Sequence, residues 1–168
     1  MGAGKSSVAL ELSQRLECAL SDIDEMIVST SGMSIAEIFA HNGQSSFRKL
    51  ETELLMYALR RSEPTLIACG GGIVLDEENV GLLQANTCVV YLEVSPQQVL
   101  ERIKDLSSRP LLAAISTNDE IADIIEQRRL LYDQTADVTV QTDDRSVVEV
   151  CDTVEAILRK GDYGVFHS

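Results

Sequence analysis

The first residues of the chain carry its most explicit chemistry. Gly2-Ala3-Gly4-Lys5-Ser6 is the second half of a phosphate-binding loop, whose full pattern is G-x-x-x-x-G-K-[ST]. Glycines let backbone amides converge on phosphate oxygens at the positive end of the following helix. The lysine would neutralise charge between the β- and γ-phosphates. The first hydroxyl after it, on Ser6, is the oxygen donor that magnesium accepts. A short GAGKS also arises by chance, as a flexible segment ahead of an amphipathic helix carrying Val8, Leu12 and Leu16.

Further along lie residues suited to an acceptor. Asp22 and Asp24 follow an apolar run at spacing two, which on an extended chain points both carboxylates to one side. One could serve magnesium through water, and the other could take a proton from a hydroxyl. A capped loop before Glu25 and Met26 explains the pair equally well. Arg48 and Glu51 share a helix face, with Phe47 as its core anchor. An arginine held by a carboxylate can present its fork to an anion, though most such pairs are surface salt bridges. Gly70-Gly71-Gly72 follows a buried strand, where a tight turn needs only one glycine and three point to close ligand approach. Arg109-Pro110-Leu111-Leu112 lies in an irregular stretch whose length suits a mobile lid at about 105–118. Arg128 stands on the next helix, four residues before Tyr132.

These groups need a frame, and the frame is legible. Strands are expected at Glu17 to Ser21, Thr65 to Cys69, Cys88 to Val94 and Asp137 to Gln141. The middle two are almost continuously apolar, as parallel strands buried on both faces are. Ser34 with Glu37 and Ser146 with Glu149 read as capping boxes, and Met33 with Ile38 as a hydrophobic staple. Ser95 before Pro96 and Asp76 mark two more helix starts, the second helix reaching Gln84. Helix resumes near Asp119. Phe47, Leu50, Leu54 and Ala58 make one apolar stripe; Val147, Val150, Val154 and Ile157 make another. Alternating strands and helices predict one α/β domain with a mostly parallel sheet.

Composition narrows the classes. The chain has 168 residues, 45% of them hydrophobic, the length and make-up of one globular domain. No run approaches the ~18 apolar residues of a membrane span. Fourteen basic against 27 acidic residues leave a net charge of −13, which disfavours nucleic acid and anionic membranes as partners. Cys18, Cys69, Cys88 and Cys151 form no CxxC and sit in apolar stretches, so they read as reduced core residues in a cytoplasmic protein.

Taken in order, these motifs resemble the shikimate kinase family over Met1 to about Leu158. The resemblance rests on GAGKS, Asp22-Ile23-Asp24, the run Gly32 to Phe39, Phe47-Arg48-x-x-Glu51, the glycine triplet, Arg109-Pro110-Leu111-Leu112 and Arg128-x-x-Leu131-Tyr132. It implies a three-layer α/β/α P-loop kinase fold with a lid, and phosphorylation of the shikimate 3-hydroxyl by ATP with Mg2+, on the route to chorismate and the aromatic amino acids. It places ATP on Gly2, Ala3, Gly4, Lys5, Ser6 and Ser7, with Arg102 on adenine, Arg109 closing on the phosphates and Arg145 bordering adenine. Ser6 and Asp22 would serve the metal, Asp22 through water. Asp24 would bind the acceptor hydroxyl as base. Arg48 and Arg128 would grip the shikimate carboxylate, Glu51 would orient Arg48, and Gly70, Gly71 and Gly72 would line the acceptor pocket. Lys5, Asp24 and Arg109 would be the catalytic set. A monomer is implied as well. Such a site would gather Lys5, Arg48, Arg102, Arg109 and Arg128, five of only 14 basic residues, around two anionic substrates.

The resemblance has departures. Leu130 stands where the family commonly has proline. Ser7 replaces a frequent threonine. The family sheet has strand order 2-3-1-4-5, and its central strand 1 and first loop glycine have no counterpart here. The expectation is therefore that strands 3 and 4 are unpaired on their inner edges. The chain as written would then be inactive, and about ten more N-terminal residues would restore it. Two alternatives stand beside this: a related small-molecule kinase such as a gluconate kinase, and a non-catalytic shikimate kinase-like binding protein. Residues 1–160 are expected to form the domain, with a short tail after them.

Overall fold

The structure is a computed structural model that describes residues 3–102 and 118–161. Gly2, positions 105–117 of the expected lid with Arg109, and the tail beyond Gly161 lie outside the described residues, as does the side chain of Arg102.

Four strands form, each shorter than the apolar run that announces it: β1 Ala19–Asp22, β2 Thr65–Ala68, β3 Val90–Glu93 and β4 Val138–Gln141. Glu17 adopts a left-handed φ of 50°, so the extended run expected from Glu17 begins only after Cys18. The Val89 amide donates to the Asp137 carboxylate at 2.8 Å instead of a ladder carbonyl, which delays β3 past Cys88. Both strand pairings are parallel: Ala19 faces Thr65 and Asp22 faces Ala68, while Val90 faces Val138 and Glu93 faces Gln141.

The helices are α1 Lys5–Arg15, α2 Ile23–Ser31, α3 Ile35–Leu59, α4 Glu77–Asn86, α5 Pro96–Arg102, α6 Asn118–Thr135 and α7 Val147–Lys160, with a 3-10 turn at Ile73–Leu75. Their starts obey side-chain chemistry. Ser34 and Ser146 both complete reciprocal capping boxes, with Glu37 and Glu149. Asp76 caps α4, and the Ser95 hydroxyl accepts from the Gln98 amide at 3.2 Å. Within α3, Gly43 takes φ 76° and ψ 169° and breaks the helix into two segments. Helix α2 is not announced by the sequence, because its opening Ile23-Asp24 reads as the continuation of a strand.

Side chains alternate across the strands. Leu66, Val90 and Leu92 pack with Val8 and Leu12 of α1 and Val150 and Val154 of α7. Ile67 and Cys69 face the opposite way, onto α2, α3 and α4. Three α/β/α layers result. Val147, expected in the α7 stripe, is instead 36% exposed, in the first turn of the helix.

The two strand pairs do not meet. Among the described residues neither β2 nor β3 has a ladder partner on its other edge, so β1-β2 and β3-β4 are separate two-stranded sheets. The two pairs match strands 2-3 and 4-5 of the expected order. β3 is only half-buried throughout. A cleft of about 1380 Å³ runs from Lys5, Arg48 and Arg128 along Leu66–Ala68 and Val90–Leu92.

Candidate active site

The start of α1 builds the first cluster. Gly4 takes φ 76°, and a Cβ added there would meet nothing within 4 Å, so the turn leaves open space over the helix N-terminus. Lys5 and Ser6 follow on the first turn. The Lys5 ammonium lies 3.5 Å from the Asp22 carboxylate and 3.8 Å from that of Asp24. The Ser6 hydroxyl donates to Asp22 Oδ2 at 3.0 Å.

Asp22 is only 7% exposed and does more than expected. Its Oδ1 accepts the amides of Asp24 (3.0 Å) and Glu25 (3.4 Å), making it the N-cap of α2. The two aspartates are thus not i and i+2 of one extended strand. Asp22 ends β1, Asp24 sits in the first turn of α2, and the bend brings both to Lys5.

The second cluster stands on α3 and the glycine turn after β2. The Arg48 guanidinium donates to Glu51 Oε2. Glu51 is 1% exposed, and its other oxygen has no hydrogen-bond partner among the described residues. Burial pushes the Glu51 carboxyl above its ordinary value, although Arg48 pulls it back. Gly70 separates the clusters: a Cβ there would come within 2.7 Å of Asp24 Oδ1 and 3.3 Å of Glu51 Oε1. A Cβ on Gly72 would come within 2.8 Å of Arg48 Nη1. A side chain at 70 or 72 would therefore displace the carboxylates or the guanidinium that lie against the backbone. Burial also pushes the neighbouring Cys69 thiol up to about 12, so it remains an inert neutral wall.

The structure brings Ala3, Gly4, Lys5, Ser6, Ser7, Asp24, Arg48, Glu51, Gly70 to Gly72 and Arg128 to one cleft, with Asp22 bonded to Lys5 and Ser6. Arg145 is not brought there. Its guanidinium folds back onto the Gln141 and Glu149 carbonyls and the Thr153 hydroxyl. Tyr132 has no role assigned from the sequence, yet its hydroxyl donates to the Gly71 carbonyl inside the site. Its spacing of four from Arg128 is the available signal.

An oxygen-donor pair and a lysine at a helix N-terminus, beside a buried arginine–carboxylate pair, define a P-loop phosphotransferase acting on an anionic acceptor. Known proteins make this particular. A model of the shikimate kinase family matches residues 1–159. A shikimate kinase of Dehalococcoides mccartyi is 39% identical over 160 residues, spanning 95% of this chain and 90% of that protein. One from Xylella fastidiosa is 40% identical over 146 residues, 87% of this chain and 81% of the relative. Shikimate kinase from Acinetobacter baumannii in complex with shikimate superposes with a TM-score of 0.91 at 28% identity, covering 96% of this chain and 90% of that one. The Aquifex aeolicus shikimate kinase structure gives 0.80 at 30% identity, over 95% and 92%. The chain belongs to the shikimate kinase family, and so to the kinases. Neither the gluconate kinase reading nor the non-catalytic one draws support from these relatives.

Proposed function

We propose that this protein transfers the γ-phosphoryl group of ATP to the 3-hydroxyl of shikimate, using Mg2+. The observation that carries this is the adjacency of the two clusters across Gly70: Asp24 of the phosphate side and Glu51 of the acceptor side approach the same backbone position.

Lys5 and the α1 amides hold the phosphates, and Lys5 offsets charge as it shifts to the leaving oxygen. Ser6 and Asp22 supply oxygen donors 3.0 Å apart, a set that fits magnesium. Among the described residues no group of three His, Cys, Asp or Glu could hold a metal alone. A cation here would complete its shell with phosphate and water oxygens, which is how Mg2+ is usually bound. When bound it would supply positive charge to offset that of the phosphates. Arg48, oriented by Glu51, and Arg128 clamp the acceptor carboxylate. Asp24 takes the hydroxyl proton as the oxygen bonds to phosphorus and the bond to ADP breaks. Arg109 closes over the transferring group, and Arg102 borders the base. The protein acts as a cytoplasmic monomer, a setting that suits its four free cysteines. Among the described residues no helix is long and apolar enough to cross a membrane.

An ADP-release assay with a panel of acceptors tests the reading. Shikimate should be phosphorylated at the 3-position, shown by mass and NMR of the product. Turnover of gluconate but not shikimate would replace it with the sister activity. Binding of shikimate without turnover would favour a non-catalytic protein.

A further inference from the structure

We infer that Tyr132 positions Arg128 for the acceptor, by fixing it to the glycine turn. Tyr132 lies one helical turn after Arg128 on α6, so the two share a face. Its ring is held from behind by Tyr91 of β3, with centroids 4.7 Å apart and planes at 20°. Its hydroxyl crosses from α6 to the glycine turn and donates to the Gly71 carbonyl. Arg128 and Tyr132 line the same cleft, one helical turn apart. Burial raises the phenol above its ordinary value, so it stays protonated and able to donate.

The consequence is geometric. Arginine carries a long, rotamer-rich stem, and a bidentate grip on a carboxylate tolerates little misalignment. Tyr132, tied to Gly71, fixes the turn of α6 next to Arg128 and so limits where the Arg128 fork can point. Gly71 adjoins Gly72, on which the Arg48 guanidinium packs. One hydroxyl therefore registers α6 against the turn that also backs the second arginine. This rests on the shikimate kinase reading of the site and deepens it.

Tyr132→Phe removes the hydroxyl and keeps the stacked ring. The KM for shikimate should rise by about tenfold, as the Arg128 grip on the carboxylate loses its alignment. The kcat at saturating shikimate and the KM for ATP should stay within about twofold. A double-mutant cycle with Arg128→Ala isolates the mechanism. In the Arg128→Ala background, adding Tyr132→Phe should raise the KM for shikimate by no more than about twofold. A hydroxyl that only supports the fold would add its full penalty in both backgrounds. An unchanged KM in the single variant, or an undiminished effect beside Arg128→Ala, would overturn the inference. If Tyr132→Phe melts below the assay temperature, Tyr132→His, which keeps a ring and an N–H, enters the same cycle with the same deciding outcomes. The wild-type control separates the two readings: a chain that does not turn over shikimate overturns the acceptor assignment itself.

Discussion

The Arg48 guanidinium occupies the space a side chain on residue 72 would need. A Cβ on Gly72 would lie 2.8 Å from Nη1 and 2.9 Å from Cζ, far inside van der Waals separation. The arginine is held from the other side by the buried Glu51 carboxylate. Its position is thus set by a carboxylate behind it and bare backbone in front. Under the proposed function, acceptor recognition at this end of the site would depend on both.

Gly72→Ala should expel the guanidinium while leaving the ion-pair partner in place. The KM for shikimate should rise about ten- to hundredfold, the equivalent of one charge-assisted hydrogen bond of ~1.5–3 kcal/mol, with the KM for ATP little changed. Arg48→Ala should behave alike. Arg109→Ala should instead spare shikimate affinity and lower turnover by ~10²–10⁴. Steady-state kinetics with both substrates varied checks all three, and a Gly72→Ala enzyme with normal shikimate KM would contradict the packing argument.

Asp22 combines a cap with a site interaction, and two substitutions separate them. Asparagine caps a helix about as well as aspartate, so Asp22→Asn should melt near the wild-type temperature. Without the charge facing Lys5 and Ser6, its turnover should fall by at least about tenfold and its magnesium requirement rise. Asp22→Ala should in addition lose ~1 kcal/mol of cap, about 2–4 °C in melting temperature. Equal melting of the two variants would argue against the capping role.

The buried Glu51 has a definite pH signature. Burial raises its folded value above the ordinary 4.5, so the folded state holds this proton more tightly than the unfolded chain. Its contribution to stability is therefore greatest in acid and declines as pH rises from 4.5 through the folded value. Melting temperatures of wild type and Glu51→Gln, measured across that range, should show the difference shifting against wild type as pH rises. A constant offset would mean that Glu51 is not shifted.

Much of the molecule is legible in the residue order because the signals are local. Capping boxes at Ser34 and Ser146, the phosphate-loop half-motif and the arginine–glutamate spacing on α3 all act within four residues. The apolar runs locate all four strands, though with ends one or two residues too generous, since Glu17 and Asp137 terminate extension by local conformation and side-chain capture. Helix α2 escapes such a reading because Ile23 continues the apolar pattern of β1, while the deciding event is Asp22 turning its carboxylate onto the next amides.

By itself, the sequence determined the chemical types present, the elements that carry them and the family to which the chain belongs. Only the tertiary structure decided which groups meet. Asp24 and Glu51 converge on Gly70, and Tyr132 reaches Gly71 from sixty-one residues away. Arg145, in the loop before α7, turns from the cleft onto that helix. Those outcomes depend on how strands separated by whole helices line up side by side. That alignment is settled by packing two helical layers onto the sheet, and no short-range pattern encodes it.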